Sequence, residues 1–181
     1  MPELSPAPAL TLRPPTVDDE AVCRRYHEQL NAEGFSFLLA DGTWDELLAQ
    51  VEREAAGTDL PSGRVRADFL LGEVDDAVVG RVSIRHDLNE GLRRFGGHVG
   101  YAVAPEHRRR GYATQMLTQA VARLAAEGVS PVLVTCDAGN AASEATILAC
   151  GGERDADDVL PDGRVKHRFW IRPSARTATT S

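Results

Sequence analysis

The feature that most restricts the fold of this chain is a strand, an arginine-rich turn and a helix in direct succession. "HVGYAVAP", residues 98–105, predicts a strand that Pro105 ends, because proline lacks the amide that a sheet ladder needs. After three arginines, a helix is predicted over 112–127, where apolar residues recur at three- and four-residue spacing. These are Ala113, Met116, Leu117, Ala120 and Leu124, and Gly128 is a natural helix end. Positive charge is therefore concentrated at the start of a helix.

The turn itself, "RRRGYA" at 108–113, has the properties of an anion-binding site. A helix start leaves backbone N–H groups unpaired and carries a positive partial charge, which suits a pyrophosphate. Gly111 permits a close approach and an unusual backbone dihedral, and Ala113 keeps the wall thin. Arg108, Arg109 and Arg110 add charge for phosphate groups. The alternative is a solvated basic loop in front of an ordinary helix.

The segments before this unit predict two helices and three strands. A short strand lies in 9–16, and Asp18 is the expected cap of a helix over about 19–31. Thr43 and Glu46 form a capping box that opens a second helix. Two apolar runs separated by Asp75-Asp76 then predict a hairpin. The polar, glycine-bearing segment at 88–97 is predicted to be a loop.

The segments after the unit complete an α/β architecture. A buried strand is predicted at 131–136, a short helix ends at Gly151, and a hairpin turns at Pro-Asp-Gly. The order β-α-α-β-β-β-α-β-α-β-β predicts a central mixed β-sheet flanked by helices. We expect one domain over residues 1–172 and a flexible C-terminal tail at 173–181.

This order, together with the turn, resembles the GNAT superfamily of N-acetyltransferases. The family signature is Arg or Gln, two residues, Gly, one residue, then Gly or Ala, and Arg108, Gly111 and Ala113 fill it. The family asparagine at the next helix start is Asn140. The resemblance is firm over residues 65–152. It implies a GNAT-like fold, acetyl-CoA as acyl donor and direct transfer to a primary amine in a ternary complex.

The resemblance also implies which residues contact the coenzyme. The pantetheine arm would hydrogen-bond to the exposed edge of the strand before the turn, and the phosphates would lie at the helix start. The implied residues are Tyr101, Ala102, Val103, Arg108, Arg109, Arg110, Gly111, Tyr112, Ala113, Thr114, Asn140 and Ser143. Gly100 and Ala102 leave room on one face of the strand, although each is equally well explained as a small core residue. Plain helix capping explains Asn140 equally well.

Catalysis requires removal of a proton from an ammonium group with a pKa near 10, and a proton or other stabilisation for the departing thiolate. Two positions that often supply these groups in the family hold Ile147 and Thr135 here, so neither role carries over. His98 titrates in the right range and is the candidate catalytic residue. The alternative is a structural histidine bonded to the neighbouring strand. Weaker candidates for the acid are Cys150, Tyr112 and Tyr101.

The loop "HDLNEGLRRFGGH", residues 86–98, lies where members of the family line the acceptor site. Asn89 and Glu90 are the candidate substrate-binding residues, with Arg93 and Arg94 beside them. The histidines and cysteines share no metal-ligand spacing, so no metal site is predicted.

Composition restricts partners and location. A net charge of −7 argues against a nucleic-acid or anionic-membrane partner. No stretch approaches the ~20 apolar residues of a membrane span. The N-terminus lacks the features of a signal peptide and the three cysteines fit reduced thiols, so a cytoplasmic location is expected. Edge-strand pairing offers a route to a homodimer.

Three alternatives to a small-molecule N-acetyltransferase stay open. One is an acyl-CoA-binding sensor without catalysis, and the second is a protein N-terminal or lysine acetyltransferase. A nucleic-acid patch built from the arginines is the third, and the absence of interleaved aromatic residues counts against it.

Overall fold

Eight strands in the part of the chain that the structure describes form one mixed sheet. The computed structural model describes residues 9–173, so the tail predicted at 173–181 lies outside the described residues except for Pro173. The elements are β1 (Thr11–Arg13), α1 (Glu20–Asn31), α2 (Trp44–Ala56), β2 (Ala67–Val74), β3 (Ala77–Arg85), β4 (Val99–Val103), α3 (Tyr112–Ala126), β5 (Val132–Asp137), α4 (Ala141–Ala149), β6 (Gly152–Arg154), β7 (Asp158–Val159) and β8 (Val165–Ile171). The strand order in the sheet is β1-β2-β3-β4-β5-β8-β6, with β7 paired to β8. The predicted mixed α/β sheet is confirmed, with one strand more than predicted because residues 152–159 form two short strands.

Local sequence signals set most element boundaries. The Thr43 hydroxyl accepts from the Glu46 amide and the Glu46 carboxylate accepts from the Thr43 amide, which confirms the capping box at α2. Asp75 and Asp76 both adopt positive φ, at 48° and 62°, as a tight two-residue hairpin turn requires.

Two predicted boundaries differ. The Asp18 cap is wrong, because the carboxylate of Asp19 accepts from the Thr16 amide and hydroxyl in a short 3-10 turn before α1. The segment predicted as an irregular loop at 88–97 contains a helical turn at Leu92–Gly96.

Each face of the sheet carries its own hydrophobic cluster. One cluster joins β3, β4 and β5 to α3 and α4, with Met116, Leu117 and Ile147 fully buried. The other joins α1 and α2 to the opposite face, around Tyr26 and Phe37. Alternation along β3 assigns Val82 and Ile84 to the first face and leaves Arg81, Ser83 and Arg85 to the second. No helix in residues 9–173 has the length and apolar character required to cross a membrane.

Candidate functional site

The sheet opens between β4 and β5, which are the one parallel pair of neighbouring strands among the described residues. These strands pair at a single position, Val99 with Val134, while β3 and β4 pair along five positions. Beyond Val99 the two strands diverge, and each leads to a helix of its own, α3 after β4 and α4 after β5. The divergence leaves one edge of β4 without a strand partner from Tyr101 onward.

The register of β4 determines which main-chain groups lie on this free edge. The Arg85 amide donates to the His98 carbonyl, and the Ala104 amide donates to the carbonyl of Val79, its direct partner. Even-numbered residues of β4 therefore bond to β3, and the main-chain groups of Tyr101 and Val103 are directed to the free edge. The N–H and C=O of Ala102 are directed to β3, so of the three predicted strand-edge residues Tyr101 and Val103 have main-chain groups on the free edge, and contact of all three with a coenzyme stays a prediction.

The turn after β4 presents a run of amides without acceptors. Arg109 and Gly111 adopt left-handed conformations, with φ of 62° and 79°. In the part of the chain that the structure describes, no side chain caps α3. From Arg109 to Thr114, no backbone N–H finds a hydrogen-bond acceptor within residues 9–173, whereas the Gly111 carbonyl accepts from the amide of Gln115. Consecutive free amides at a helix start form an anion-binding site.

The three arginines of the turn have different surroundings. Arg108 forms an ion pair with Glu33 at 2.6 Å and donates from Nε to the Val103 carbonyl at 3.3 Å. Its charge is therefore already balanced by the loop after α1. Arg109 and Arg110 are exposed and form no ion pair within the described residues, which leaves them available to an anion. The ring of Tyr112 is buried in the core, so only its amide faces this site. Ala113 and Thr114 are half-buried in the first turn of α3.

The start of α4 faces the free edge of β4. Asn140 caps α4, because its side-chain oxygen accepts from the Ser143 amide at 3.1 Å. The Tyr101 hydroxyl lies 2.8 Å from the Ser143 hydroxyl oxygen, so the phenol connects β4 to the first turn of α4. Burial raises the pKa of Tyr101 to about 12. The phenol is therefore neutral at physiological pH and retains a proton to donate.

His98 has the geometry of a structural histidine. Its ring is buried, and Nδ1 accepts from the Leu133 amide at 2.9 Å. Burial lowers the pKa of His98, which keeps the ring neutral. In that tautomer the proton resides on Nε2, so neither ring nitrogen is a free base.

The other positions considered for proton transfer have structural partners. Thr135 donates its hydroxyl proton to the Phe95 carbonyl at 2.7 Å, and Ile147 is fully buried. Cys150 lies between α4 and α3, with its sulfur 3.8 Å from the Thr114 carbonyl, and burial raises the pKa of its thiol.

A cavity of about 340 Å³ lies on the α2 side of the sheet, over the end of β3 near the Val99–Val134 pair. We call it the β3 cavity, and its charged and polar lining consists of Glu54, Arg64, Ser83, Arg85 and Asn89. The Asn89 amide donates to the Gly63 carbonyl and its side-chain oxygen accepts from the Leu92 amide, so it shapes the loop. Glu90 is exposed and does not line the cavity.

Sequence reasoning missed the arginines of β3. In "GRVSIRH" the polar residues Arg81, Ser83 and Arg85 alternate with apolar ones, and that signal was available in the sequence. Within the part of the chain that the structure describes, no group of three or more metal-ligating side chains comes together.

Residues 9–153 match the family model described as Acetyltransferase (GNAT) domain. This match includes all four helices and the sheet through β5 and most of β6. No curated protein sequence matches the chain.

Solved structures share the fold at low sequence identity. RimJ from Mycobacterium smegmatis, in complex with CoA-disulfide, is 21% identical over 97% of this chain and 87% of its own, with a TM-score of 0.71. YncA from Salmonella typhimurium, with acetyl-CoA, is 18% identical over 96% of this chain and 99% of its own, with a TM-score of 0.64. A mutant form of the spermidine/spermine N-acetyltransferase SpeG from Vibrio cholerae is 18% identical over 91% and 95%, with a TM-score of 0.61.

Proposed function

This chain belongs to the GNAT acetyltransferase family, and we propose that it transfers the acetyl group of acetyl-CoA to a primary amine by direct attack in a ternary complex. One observation carries the proposal: the run of unpaired amides from Arg109 to Thr114 follows the free edge of β4 after one short turn at Pro105–His107. A phosphate site next to an unpaired strand edge suits a donor that has a pyrophosphate at one end and an amide-containing arm.

The proposed coenzyme contacts follow from these groups. The pyrophosphate would accept from the amides at the start of α3, with Arg109 and Arg110 adding charge. The amides of the pantetheine arm would bond to Tyr101 and Val103 on the edge of β4. Gly111 has open space around its Cβ position, so the turn allows a close approach of the ligand.

The reaction itself requires few protein groups. The neutral amine attacks the thioester carbon, the new C–N bond forms, and the C–S bond breaks as the oxyanion collapses. A strand-edge N–H would stabilise that oxyanion. The amine loses its proton to water, and the departing thiolate takes a proton. Tyr101 is our candidate donor to the sulfur, because its phenol is neutral and lies in the opening between β4 and α4.

A second candidate function is an acyl-CoA-binding sensor. Two positions that often hold catalytic groups in the family favour it, because here they hold Ile147 and Thr135. Ile147 is fully buried, and the Thr135 hydroxyl donates to the Phe95 carbonyl. The two functions share the coenzyme site and differ only in turnover.

Thermal stability and thiol release separate these functions. We expect acetyl-CoA to raise the melting temperature, and coenzyme thiol to appear when a suitable amine from a panel of small amines and peptides is added. Stabilisation without thiol release across that panel would favour the sensor. No stabilisation at acetyl-CoA concentrations far above micromolar would rule out both. A preference for peptides over every small amine would identify a protein acetyltransferase.

A further inference from the structure

The β3 cavity is lined by a half-buried cation, Arg85, that forms no ion pair within the described residues. Arg81 and Arg85 lie four residues apart on β3 and share the face that is turned to α1 and α2. In the described part of the chain neither forms an ion pair, whereas 11 of the other 17 arginine and lysine residues within 9–173 do. Buried guanidinium groups are normally paired with carboxylates, because an uncompensated charge costs free energy in a low-dielectric environment.

Arg81 is explained by the protein itself. Its Nε donates to the Phe37 carbonyl at 3.0 Å, Nη2 to Ser36 at 2.7 Å and Nη1 to Gly100 at 3.3 Å. Every nitrogen of this guanidinium is used, and the side chain fastens the loop after α1 to the sheet. Burial lowers its pKa to about 10. Arg81 therefore has a structural role.

Arg85 is only partly satisfied. Its Nη1 donates to the carbonyls of Gly96 and Gly97, both at 3.2 Å. Its Nε and Nη2 find no acceptor within residues 9–173, and the side chain lines the cavity. Burial lowers the pKa of Arg85. The guanidinium nevertheless stays charged, because the ordinary pKa of arginine is far above neutral pH. Free donors of a fixed cation thus border an open cavity.

Gly100 keeps the space in front of Arg85 open. A Cβ at this position would lie 3.6 Å from Nη2 of Arg85 and 3.7 Å from Nη1 of Arg81. The strand thus carries no side chain where two guanidinium groups converge.

The acidic group of the cavity is already engaged. Glu54 lies 3.6 Å from Arg64 and accepts from the Gln50 amide at 2.9 Å. Glu54 is thus engaged by Arg64 and Gln50, and Arg85 is left without an ion-pair partner among residues 9–173.

We propose that the acceptor amine carries an anionic oxygen group, a carboxylate or a phosphate, and that Arg85 binds this group in the β3 cavity. The inference rests on the proposed function, whose amine substrate it specifies. A planar guanidinium with two free donors suits two oxygens of one anion. The cavity volume of about 340 Å³ is that of a small-molecule site, so the acceptor is a small amino acid or a comparable aminoalkyl phosphate.

Matched acceptors test this assignment. Each L-amino acid in a panel is compared with its carboxamide and its decarboxylated amine, and O-phosphoethanolamine is compared with ethanolamine. We expect kcat/KM to be about tenfold or more higher for the anionic member of at least one set, since a hydrogen bond to a charged group contributes about 1.5–3 kcal/mol. The set with the larger ratio identifies the anion. Equal kcat/KM values within every set would overturn the proposal.

Three variants localise the effect. Arg85→Gln is expected to abolish the preference, and Gly100→Ala to weaken it, because a methyl group would fill the space before the two guanidinium groups. Arg123→Gln removes one exposed positive charge from α3, outside the cavity lining, and should keep the preference. If Arg85→Gln fails to fold, Gly100→Ala decides, since it keeps the bonds of Arg85 to Gly96 and Gly97. An undiminished preference in the folded variants would overturn the role of Arg85.

A direct binding measurement distinguishes the two failures. Thermal stabilisation by each acid and its amide is measured without coenzyme in the wild type and in both cavity variants. If acetyl-CoA neither stabilises the protein nor releases thiol, the proposed function fails. The acid-over-amide difference then still decides whether Arg85 holds an anion, and its absence would overturn this inference.

Discussion

Replacing Gly111 by alanine tests whether the turn before α3 holds the coenzyme phosphates. Gly111 adopts φ of 79°, and a Cβ there would meet no protein atom within 4 Å. The cost to folding is therefore conformational alone. A left-handed alanine costs roughly 1–2 kcal/mol, which lowers the melting temperature of a chain this size by about 2–8 °C.

Gly128, at the other end of α3, is a matched control. It adopts φ of 84°, and a Cβ there would also meet nothing within 4 Å. Gly128→Ala should therefore cost the same folding free energy as Gly111→Ala. Only Gly111 belongs to the run of unpaired amides, and relaxation of an alanine away from positive φ would turn those amides from their common direction.

The assay compares acetyl-CoA affinity in the two variants by calorimetry. We expect Gly128→Ala to bind like the wild type. Gly111→Ala should bind about ten- to a hundredfold more weakly, the equivalent of one charge-assisted hydrogen bond of about 1.5–3 kcal/mol. Equal affinities in the two variants would refute the phosphate assignment. A much larger loss of stability in Gly111→Ala than in Gly128→Ala would refute the assumption that the two substitutions cost equal folding free energy.

Three further outcomes concern single side chains. Tyr101→Phe should lower kcat about a hundredfold and leave the thermal stabilisation by acetyl-CoA unchanged. Ser143→Ala keeps the phenol and should have little effect on kcat. Equal kcat values for Tyr101→Phe and the wild type would exclude Tyr101 as the acid. His98→Gln should leave the pH profile of turnover unchanged. A displaced profile would show that His98 takes part in proton transfer. Since burial lowers the pKa of His98, the wild type should lose stability as pH falls below about 6.5, a dependence that urea unfolding of His98→Gln should lack. The hydrogen bond with Arg13 lowers the pKa of Asp19 from the ordinary value of 3.8 to about 2. Asp19→Asn should therefore lower the free energy of unfolding, measured with urea at pH 7, by about 2 kcal/mol. That difference should vanish as pH falls through 2, and a constant difference would contradict the ion-pair account.

Sequence reasoning succeeds where the signal is local. The Thr43–Glu46 capping box and the Asp75-Asp76 turn depend on residues within a few positions of one another, and both are confirmed. The Asp18 prediction fails because Asp19, one residue later, pairs with Arg13 of β1. A local sequence pattern cannot predict which of two adjacent carboxylates lies at the helix start when an ion pair with a residue of another element determines it.

The candidate site depends on longer-range geometry. Arg108 resembles Arg109 and Arg110 in sequence, yet Glu33, 75 residues away, neutralises it alone. The space before Arg85 requires the β3–β4 register that sets Ser83 opposite Gly100. Which strand edge is free, and which residues of β4 turn their amides toward it, likewise follow from pairing rather than from composition.

The short pairing between β4 and β5 has a mechanical consequence. Within residues 9–173 the sheet has two sections, β1–β4 and β5–β8, and the strand pairing between them is limited to Val99 and Val134, next to the hydrogen bonds between His98 and Leu133. A coenzyme bound along β4 and against α4 would span both sections and supply bonds that the free protein lacks. Its binding would add RT ln(1 + [L]/Kd) to the free energy of unfolding, about 2.7 kcal/mol at one hundred times Kd. The supply of acetyl-CoA in the cell would then set how much of this protein persists, as well as how fast it works.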